Sequence, residues 1–236
     1  MIRAVIFDFN GVLVDDEMVH FALFRDVLAE LGIELSEARY HAEYLGYDDR
    51  GCFEAALGEA GRPADRATID ALIARKADRY IQAAETGLRI FPGASEAIAA
   101  LAERWPLAIC SGALRGEVEF ALGRMGVRDR VVALVAAEDT SRCKPDPEGY
   151  RNAFAGLATL SILTGLEPRE CLVIEDSLAG IAAALAAGMI VVGVAQTYSM
   201  DELTRAGAHA VLPDVASVTP EWVGRAFSDS DPIEVP

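Results

Sequence analysis

Short apolar runs and stretches of helical periodicity take turns along this chain, and their order predicts its architecture. Val5-Ile6-Phe7 is a run of β-formers that breaks into Asp8-Phe9-Asn10-Gly11, which reads as a buried strand ending in a turn. Over 16–31 the apolar residues recur at helical spacing, at Val19, Leu23, Val27, Leu28 and Leu31, and Gly32 supplies the stop. Two more helical stretches, near 49–60 and 65–84, leave 16–88 without a good strand. After Phe91-Pro92-Gly93 the pattern changes. Helices are predicted at 94–104, 117–125, 148–163, 178–187 and 201–206, and strands at 107–110, 131–135, 171–174, 190–194 and 210–212. The tail from Ser228 is acidic and contains proline, so loose order is expected there.

Apolar strands alternating with helices predict a mainly parallel sheet covered on both faces, an α/β doubly wound core. Ligands of such sheets bind beyond the carboxyl ends of the strands. Residues 1–15 and 89–236 make the core. Residues 16–88 form an all-helical insert after the first strand, placed to cover the strand ends like a lid.

Composition narrows the partners. A chain of 236 residues, 52% apolar and 25% charged, is ordinary for a globular protein and long enough to bury a core unaided. The formal net charge of -16 repels nucleic-acid phosphates and anionic membranes, which excludes both as partners. It also means that an anionic substrate needs a local positive site. No apolar stretch reaches the ~20 residues of a membrane span, and no leader-type segment follows Met1-Ile2-Arg3. Cys52, Cys110, Cys143 and Cys171 form no CxxC pair, so they read as structural thiols of a cytoplasmic protein rather than zinc ligands. A monomer is expected. Of the 21 basic residues only Lys76 and Lys144 are lysines, which draws attention to both.

Four groups fall at the ends of predicted core strands or in the loops beyond them: Asp8-Phe9-Asn10-Gly11, Ser111-Gly112, Lys144-Pro145 and Glu175-Asp176. Each alone reads equally well as a turn, a cap or a solvated edge. Together they make a coherent site. Asp8, Glu175 and Asp176 offer hard oxygen ligands for Mg²⁺. The Asp8 carboxylate is also able to attack phosphorus and form an aspartyl-phosphate. Ser111 has a hydroxyl and Gly112 a backbone N–H to donate to phosphoryl oxygens, and Lys144 adds positive charge.

The run Phe7-Asp8-Phe9-Asn10-Gly11-Val12-Leu13-Val14-Asp15 resembles the first motif of the haloacid dehalogenase superfamily. Ser111-Gly112 resembles its second motif, Lys144-Pro145 with Asp146-Pro147 its third, and Val173-Ile174-Glu175-Asp176-Ser177 with Gly180 its fourth. The insert resembles the helical cap of the β-phosphoglucomutase and phosphoglycolate-phosphatase branch. The resemblance implies a Rossmann-like core, a cap that opens and closes, Mg²⁺, and phosphoryl transfer through Asp8 as nucleophile and metal ligand. It further implies Asp176 and the Asn10 backbone carbonyl as metal ligands, Glu175 in support of the metal, and Lys144 holding nucleophile and phosphate. Gly11 and Gly112 are candidates for contact with the substrate.

Asn10 departs from the family pattern, which usually has a second aspartate there to protonate the leaving oxygen and activate water. An amide cannot exchange a proton in this way, and loss of a general acid–base typically costs ~10²–10⁴ in rate. Four readings stay open: an engineered replacement, a natural enzyme with another proton carrier or good leaving groups, a protein that binds ligand without turnover, and deamidation at Asn10-Gly11.

In the insert, Lys76 lies in a Lys-x-x-x-Tyr stretch similar to that of related caps, His20 resembles a cap-hinge histidine, and Arg50 after Gly46-Tyr47-Asp48-Asp49 is placed to reach a distal anion. In the mutase branch the residues after the second motif hold a second phosphate. Here they are Ala113, Leu114 and Arg115, and the first two have no polar side chain. The expected function is a Mg²⁺-dependent phosphatase of a small phosphorylated metabolite, slowed at Asn10. The alternative is an impaired or engineered chain that binds a phosphate ligand without efficient turnover. A phosphomutase or a phosphonate hydrolase fits less well, and Glu175-Asp176 argue against a dehalogenase.

Overall fold

The computed structural model describes residues 1–44 and 47–228. Gly46 and the tail beyond Ser228 lie outside the described residues. Six parallel strands form one sheet in the order β3-β2-β1-β4-β5-β6. They are β1 (Ala4–Phe7), β2 (Leu107–Cys110), β3 (Val131–Val135), β4 (Cys171–Glu175), β5 (Ile190–Val194) and β6 (Ala210–Leu212). This is the doubly wound order, whose direction reverses between β1 and β4 and opens a crevice at their carboxyl ends.

The sheet is central because its strands are apolar on both sides. β1, β2 and β4 are buried along their whole length. Side chains alternate between faces with period two. Val5, Phe7, Leu107, Ile109, Leu172 and Ile174 enter one core, while Ala4, Ile6, Ala108, Cys110, Cys171 and Val173 enter the other. The first core is covered by α5 (Ala94–Ala102), α6 (Arg115–Met125) and α10 (Pro220–Ala226). The second is covered by α7 (Glu148–Ala158), α8 (Leu178–Ala186) and α9 (Met200–Arg205).

Between β1 and α5 the chain is helical. It contains α1 (Glu17–Ala29), the short α2 (Glu37–Arg39), a π-helical turn at Tyr40–Tyr44, α3 (Asp49–Glu59) and α4 (Arg66–Gly87). Phe24, Tyr40, Tyr44, Phe53 and Ile69 give this segment a core of its own. It leaves and returns along two strands lying side by side. Val14 bridges Ile90 antiparallel, Asp15 N donates to Arg89 O at 2.8 Å, and Phe91 N donates to Leu13 O at 3.0 Å.

Differences from the sequence reading have local causes. The helix expected over 148–163 stops at Ala158, where Thr159 Oγ1 turns back to Gly156 O at 2.7 Å, and a 3₁₀ turn at Ser161–Leu163 follows. α10 starts at Pro220 behind a Thr219 cap, a pattern too short to show periodicity. α2 and the π turn carry no regular repeat for the same reason. Asp48 and Asp65 cap α3 and α4 through Gly51 N and Thr68 N. Asp16 occupies the same position on α1 but makes no side-chain cap bond. Its carboxylate is used elsewhere. Among the described residues no helix is long and apolar enough to cross a membrane.

Candidate active site

Register brings the strand ends together. Phe7 pairs with Ile109 on one side and Ile174 on the other, so Asp8, Glu175 and, one residue past the end of β2, Ser111 emerge as neighbours. The loop after β3 delivers Lys144, whose Nζ donates to Asp8 Oδ1 at 2.6 Å and to Glu175 Oε1 at 2.7 Å. The Tyr150 ring lies under this ammonium at 5.1 Å, and the Tyr150 hydroxyl donates to Glu175 Oε1 at 2.9 Å.

Asp8, Glu175 and Asp176 hold carboxylate oxygens within 4.8 Å of one another, and all three are buried. They are not equivalent. Both oxygens of Glu175 are occupied: Oε1 by Lys144 and Tyr150, Oε2 by the backbone N–H groups of Asp176 and Ser177 and the Ser177 hydroxyl. Gly180 makes room for it, since a Cβ there would fall on the Glu175 carboxylate. Asp176 Oδ1, by contrast, is buried with no donor. Its carboxylate packs on Gly11, which takes φ 78° and has no space for a side chain.

The ionisation follows from this layout. Burial pushes Asp8 up to about 7, with Glu175 adding to the rise and Lys144 opposing it. Burial also raises Asp176 well above the carboxylate range, helped by Glu175 and Asp8. Burial would raise Glu175 too, but Lys144 and the hydrogen bonds around it outweigh that and lower it. Lys144 would fall on burial, and the two carboxylates beside it raise it instead. Three buried carboxylates share one ammonium, and two of them are raised by burial for want of a balancing positive charge. With the orphaned Asp176 oxygen, that donor set fits a hard divalent cation.

Asn10 is anchored as an amide. Its Nδ2 donates to both oxygens of Asp16, at 3.0 and 3.1 Å, and lies 3.3 Å from His20 Nε2. Its Oδ1 accepts from Ser111 Oγ at 3.3 Å. Asp16 is 1% exposed and also takes the Tyr80 hydroxyl at 2.5 Å and His20 Nε2 at 3.2 Å. Burial would raise Asp16, but His20 and these donors lower it. Burial and Lys76 would lower His20, and Asp16 outweighs both to raise it. A carboxylate at position 10 would face the buried Asp16 carboxylate where a donor now sits, and both could not ionise.

A cavity of about 390 Å³ lies over Asp8, roofed by the insert. Asp8, Asn10, Gly11, His20, Gly112, Ala113, Lys144 and Asp176 line it. Ser111 is buried just behind, with its Oγ accepting from Ala113 N at 3.0 Å. Three residues expected to contact substrate are placed outside the lining, each because a carboxylate closer to hand already meets its charge. Lys76 is fully buried on Asp49 at 2.7 Å, Arg50 turns to Asp70 at 2.7 Å, and Arg115 bonds Asp139.

The sequence reading passed over Asp16, Asp49 and Gln196, all of which line the cavity. Asp16 stands four residues before His20, one helical turn away on the same face. Gln196 follows β5, the next strand end along, and pins the Gly11 and Val12 carbonyls at 2.6 and 3.1 Å.

The model of the haloacid dehalogenase-like hydrolase family matches residues 2–188. Phosphoglycolate phosphatase of Rhodospirillum rubrum is 32% identical over 231 residues, covering 95% of this chain and 92% of that protein. Validoxylamine A 7′-phosphate phosphatase of Streptomyces hygroscopicus subsp. limoneus is 30% identical over 236 residues, 95% of this chain and 99% of that protein. Among solved structures, a mutant of CbbY from Rhodobacter sphaeroides with asparagine in place of an aspartate, in complex with xylulose-(1,5)bisphosphate, is 26% identical. It matches with a TM-score of 0.78 over 92% of this chain and 96% of that one.

Two outcomes follow from the geometry. Asn10→Asp lowers stability by about 2 kcal/mol, and adding Asp16→Asn recovers most of it. Thermal unfolding of the two single variants and the double variant measures this, and simple additivity would refute the coupling. Gly180→Ala displaces Glu175 and costs about 1–3 kcal/mol. Unchanged urea unfolding of that variant would show that Glu175 has another place to go.

Proposed function

The chain belongs to the haloacid dehalogenase-like hydrolase family, and from that premise we propose that it is a Mg²⁺-dependent phosphatase of a small phosphorylated metabolite, working through an aspartyl-phosphate on Asp8. One observation carries the reading. Asp8 stands at the floor of a capped cavity with its Oδ1 held by Lys144 and the donorless Asp176 oxygen beside it.

Each residue then has a task. The Asp8 carboxylate attacks phosphorus, forming an Asp8 O–P bond while the bond to the leaving oxygen breaks. Lys144 keeps the nucleophile aimed and offsets charge on the phosphoryl oxygens. Gly112 lines the cavity and would donate its N–H to those oxygens, and the Ser111 hydroxyl would turn to them from Asn10 Oδ1. Water then attacks the aspartyl-phosphate, which frees Asp8 and releases phosphate. Asp8, Asp176 and the Asn10 carbonyl would hold Mg²⁺, with Glu175 holding Lys144 and the turn behind them. When bound, the ion supplies charge neutralisation at the transferring group. Gln196 keeps the Gly11 turn in place. The insert works as a cap that opens for substrate and closes over it, in a monomeric cytoplasmic enzyme.

Asn10 sets the speed. It holds Asp16 through its Nδ2 and accepts from Ser111 through its Oδ1, but moves no proton. The ionisable pair nearest to it is His20 with Asp16, so that pair or a good leaving group must serve. A second reading, binding without turnover, is favoured by the same amide. The other activities lose ground for structural reasons. A mutase lacks a cation for a second phosphate, since Arg115 is engaged by Asp139. A phosphonate hydrolase needs a reachable lysine, and Lys76 is 0% exposed.

Phosphate release from a panel of monoesters tests the proposal. Activity should require Mg²⁺, stop with a chelator, and fall at least ~10³-fold in Asp8→Asn. Turnover that survives in Asp8→Asn would refute it. No turnover in the native chain, but turnover in the Asn10→Asp, Asp16→Asn double variant, would establish the binding reading instead. Metal independent of activity is read by melting. Asp176→Asn should raise the metal-free Tm by about 2–4 °C, equivalent to ~1 kcal/mol, and abolish the further rise on adding Mg²⁺. A Mg²⁺-induced rise retained in that variant would place the ion elsewhere.

A further inference from the structure

The cavity wall is acidic. Besides Lys144 with Asp8 and Asp176, it carries Asp15, Asp16, Glu17, Asp48 and Asp49. Most of these carboxylates are engaged. Asp15 pairs with Arg89 at 3.0 Å, Asp16 holds Asn10, Glu17 accepts from the Tyr40 hydroxyl, and Asp48 caps α3. Asp49 differs. Its Oδ1 takes the buried Lys76 ammonium at 2.7 Å, but its Oδ2 is buried without any donor. A buried carboxylate oxygen in that state is costly, and a native structure keeps few of them.

The positive charges that would meet a second anion are turned away. Arg50 is on Asp70, Arg115 is on Asp139 and the Leu134 carbonyl, and Lys76 is sealed between Asp49, Glu117 at 3.9 Å and the Phe24 ring. Besides Lys144, the lining groups able to carry positive charge are His20, already matched by Asp16, and the exposed His41. A substrate tail entering this wall meets negative charge and, His41 apart, no free cation among the described residues.

We infer that the cavity selects phosphate monoesters whose far end is uncharged or cationic and donates hydrogen bonds, through hydroxyl or amino groups, and that the Asp49 carboxylate in its wall sets this preference. The inference rests on the phosphatase reading for the position of the phosphoryl group at Asp8. It separates this chain from relatives named for phosphoglycolate, whose tail is a carboxylate, and from the CbbY structure that holds a bisphosphate.

The test is a calorimetric binding panel with Mg²⁺ present, using ethanolamine phosphate, glycerol 1-phosphate, 2-phosphoglycolate and fructose 1,6-bisphosphate, with phosphate release followed in parallel. The first two should bind at least tenfold more tightly than the last two, a difference of about 1.4 kcal/mol. In Asp49→Asn the gap should narrow to less than about threefold. Equal or tighter binding of the anionic tails by the native chain overturns the inference, and so does an undiminished gap in a folded Asp49→Asn. Asp49→Asn also removes the partner of Lys76, so the native panel decides the preference whether or not that variant folds. Phosphate release with a preference for anionic tails sinks this inference and spares the phosphatase reading. The predicted preference in binding, without release from any ester, does the reverse.

Discussion

The site depends on one ammonium shared by two carboxylates. Lys144 reaches across from the loop after β3 and ties Asp8, just past β1, to Glu175 at the end of β4. Without it, Asp8, Glu175 and Asp176 would crowd unbalanced negative charge into a buried site, where each such charge is expensive. Glu175 makes this arrangement stable by using all its remaining acceptor capacity on the Tyr150 hydroxyl and the turn after β4. Asp176 is thereby left over, buried and short of a donor. Of the two adjacent acids that the sequence offers to a metal, Glu175 has its oxygens spent, while Asp176 keeps one oxygen without a donor.

Asn10 and Asp16 form a second unit, and each explains the other. A helix N-cap aspartate normally accepts a bond from the backbone of its own first turn. Asp16 forgoes that bond and accepts from Asn10, His20 and Tyr80 instead. An amide at position 10 suits this carboxylate, and a second carboxylate would not. The departure from the family pattern is thus matched to its surroundings rather than isolated within them. Acid–base chemistry and local stability pull in opposite directions at this position, because the proton carrier of the usual pattern would repel the charge that anchors α1 to the site.

Much of this was legible in the sequence. Strands buried on both faces announce themselves as apolar runs, and the residues that end them mark the crevice, which is why Asp8, Ser111, Lys144 and Asp176 were found together. Helical periodicity was legible over 16–31, at Val19, Leu23, Val27, Leu28 and Leu31, whereas Phe24, Phe53 and Ile69, which fill the core of that segment, were not marked. What could not be read was which charges would find each other. Lys76, Arg50 and Arg115 were marked by residue type, yet each is met by an acid from another element that no local spacing reveals. Asp16, Asp49 and Gln196 gain their importance from the same kind of long-range meeting. A pattern along the chain locates elements, whereas pairing of charges is a property of their packing.

That packing bears on how the insert and the core act together. Lys76 belongs to α4 of the insert, and beneath it Glu117 belongs to α6 of the core. Glu117 is 2% exposed, burial raises it while Lys76 and His20 hold it down, and its Oε1 has no hydrogen-bond donor. Asp49 Oδ2, on the other carboxylate paired with that lysine, is likewise buried without a donor. One buried ammonium therefore serves two carboxylates incompletely when insert and core are together. Water would satisfy both oxygens if the two parted, so the closed arrangement carries a cost that its apolar contacts must offset. A ligand donating to Asp49 removes part of that cost only when closed around, while an anionic tail adds to it. On the proposed cap motion and ligand preference, closure and choice of ligand would both act on this shared cluster of Lys76, Asp49 and Glu117.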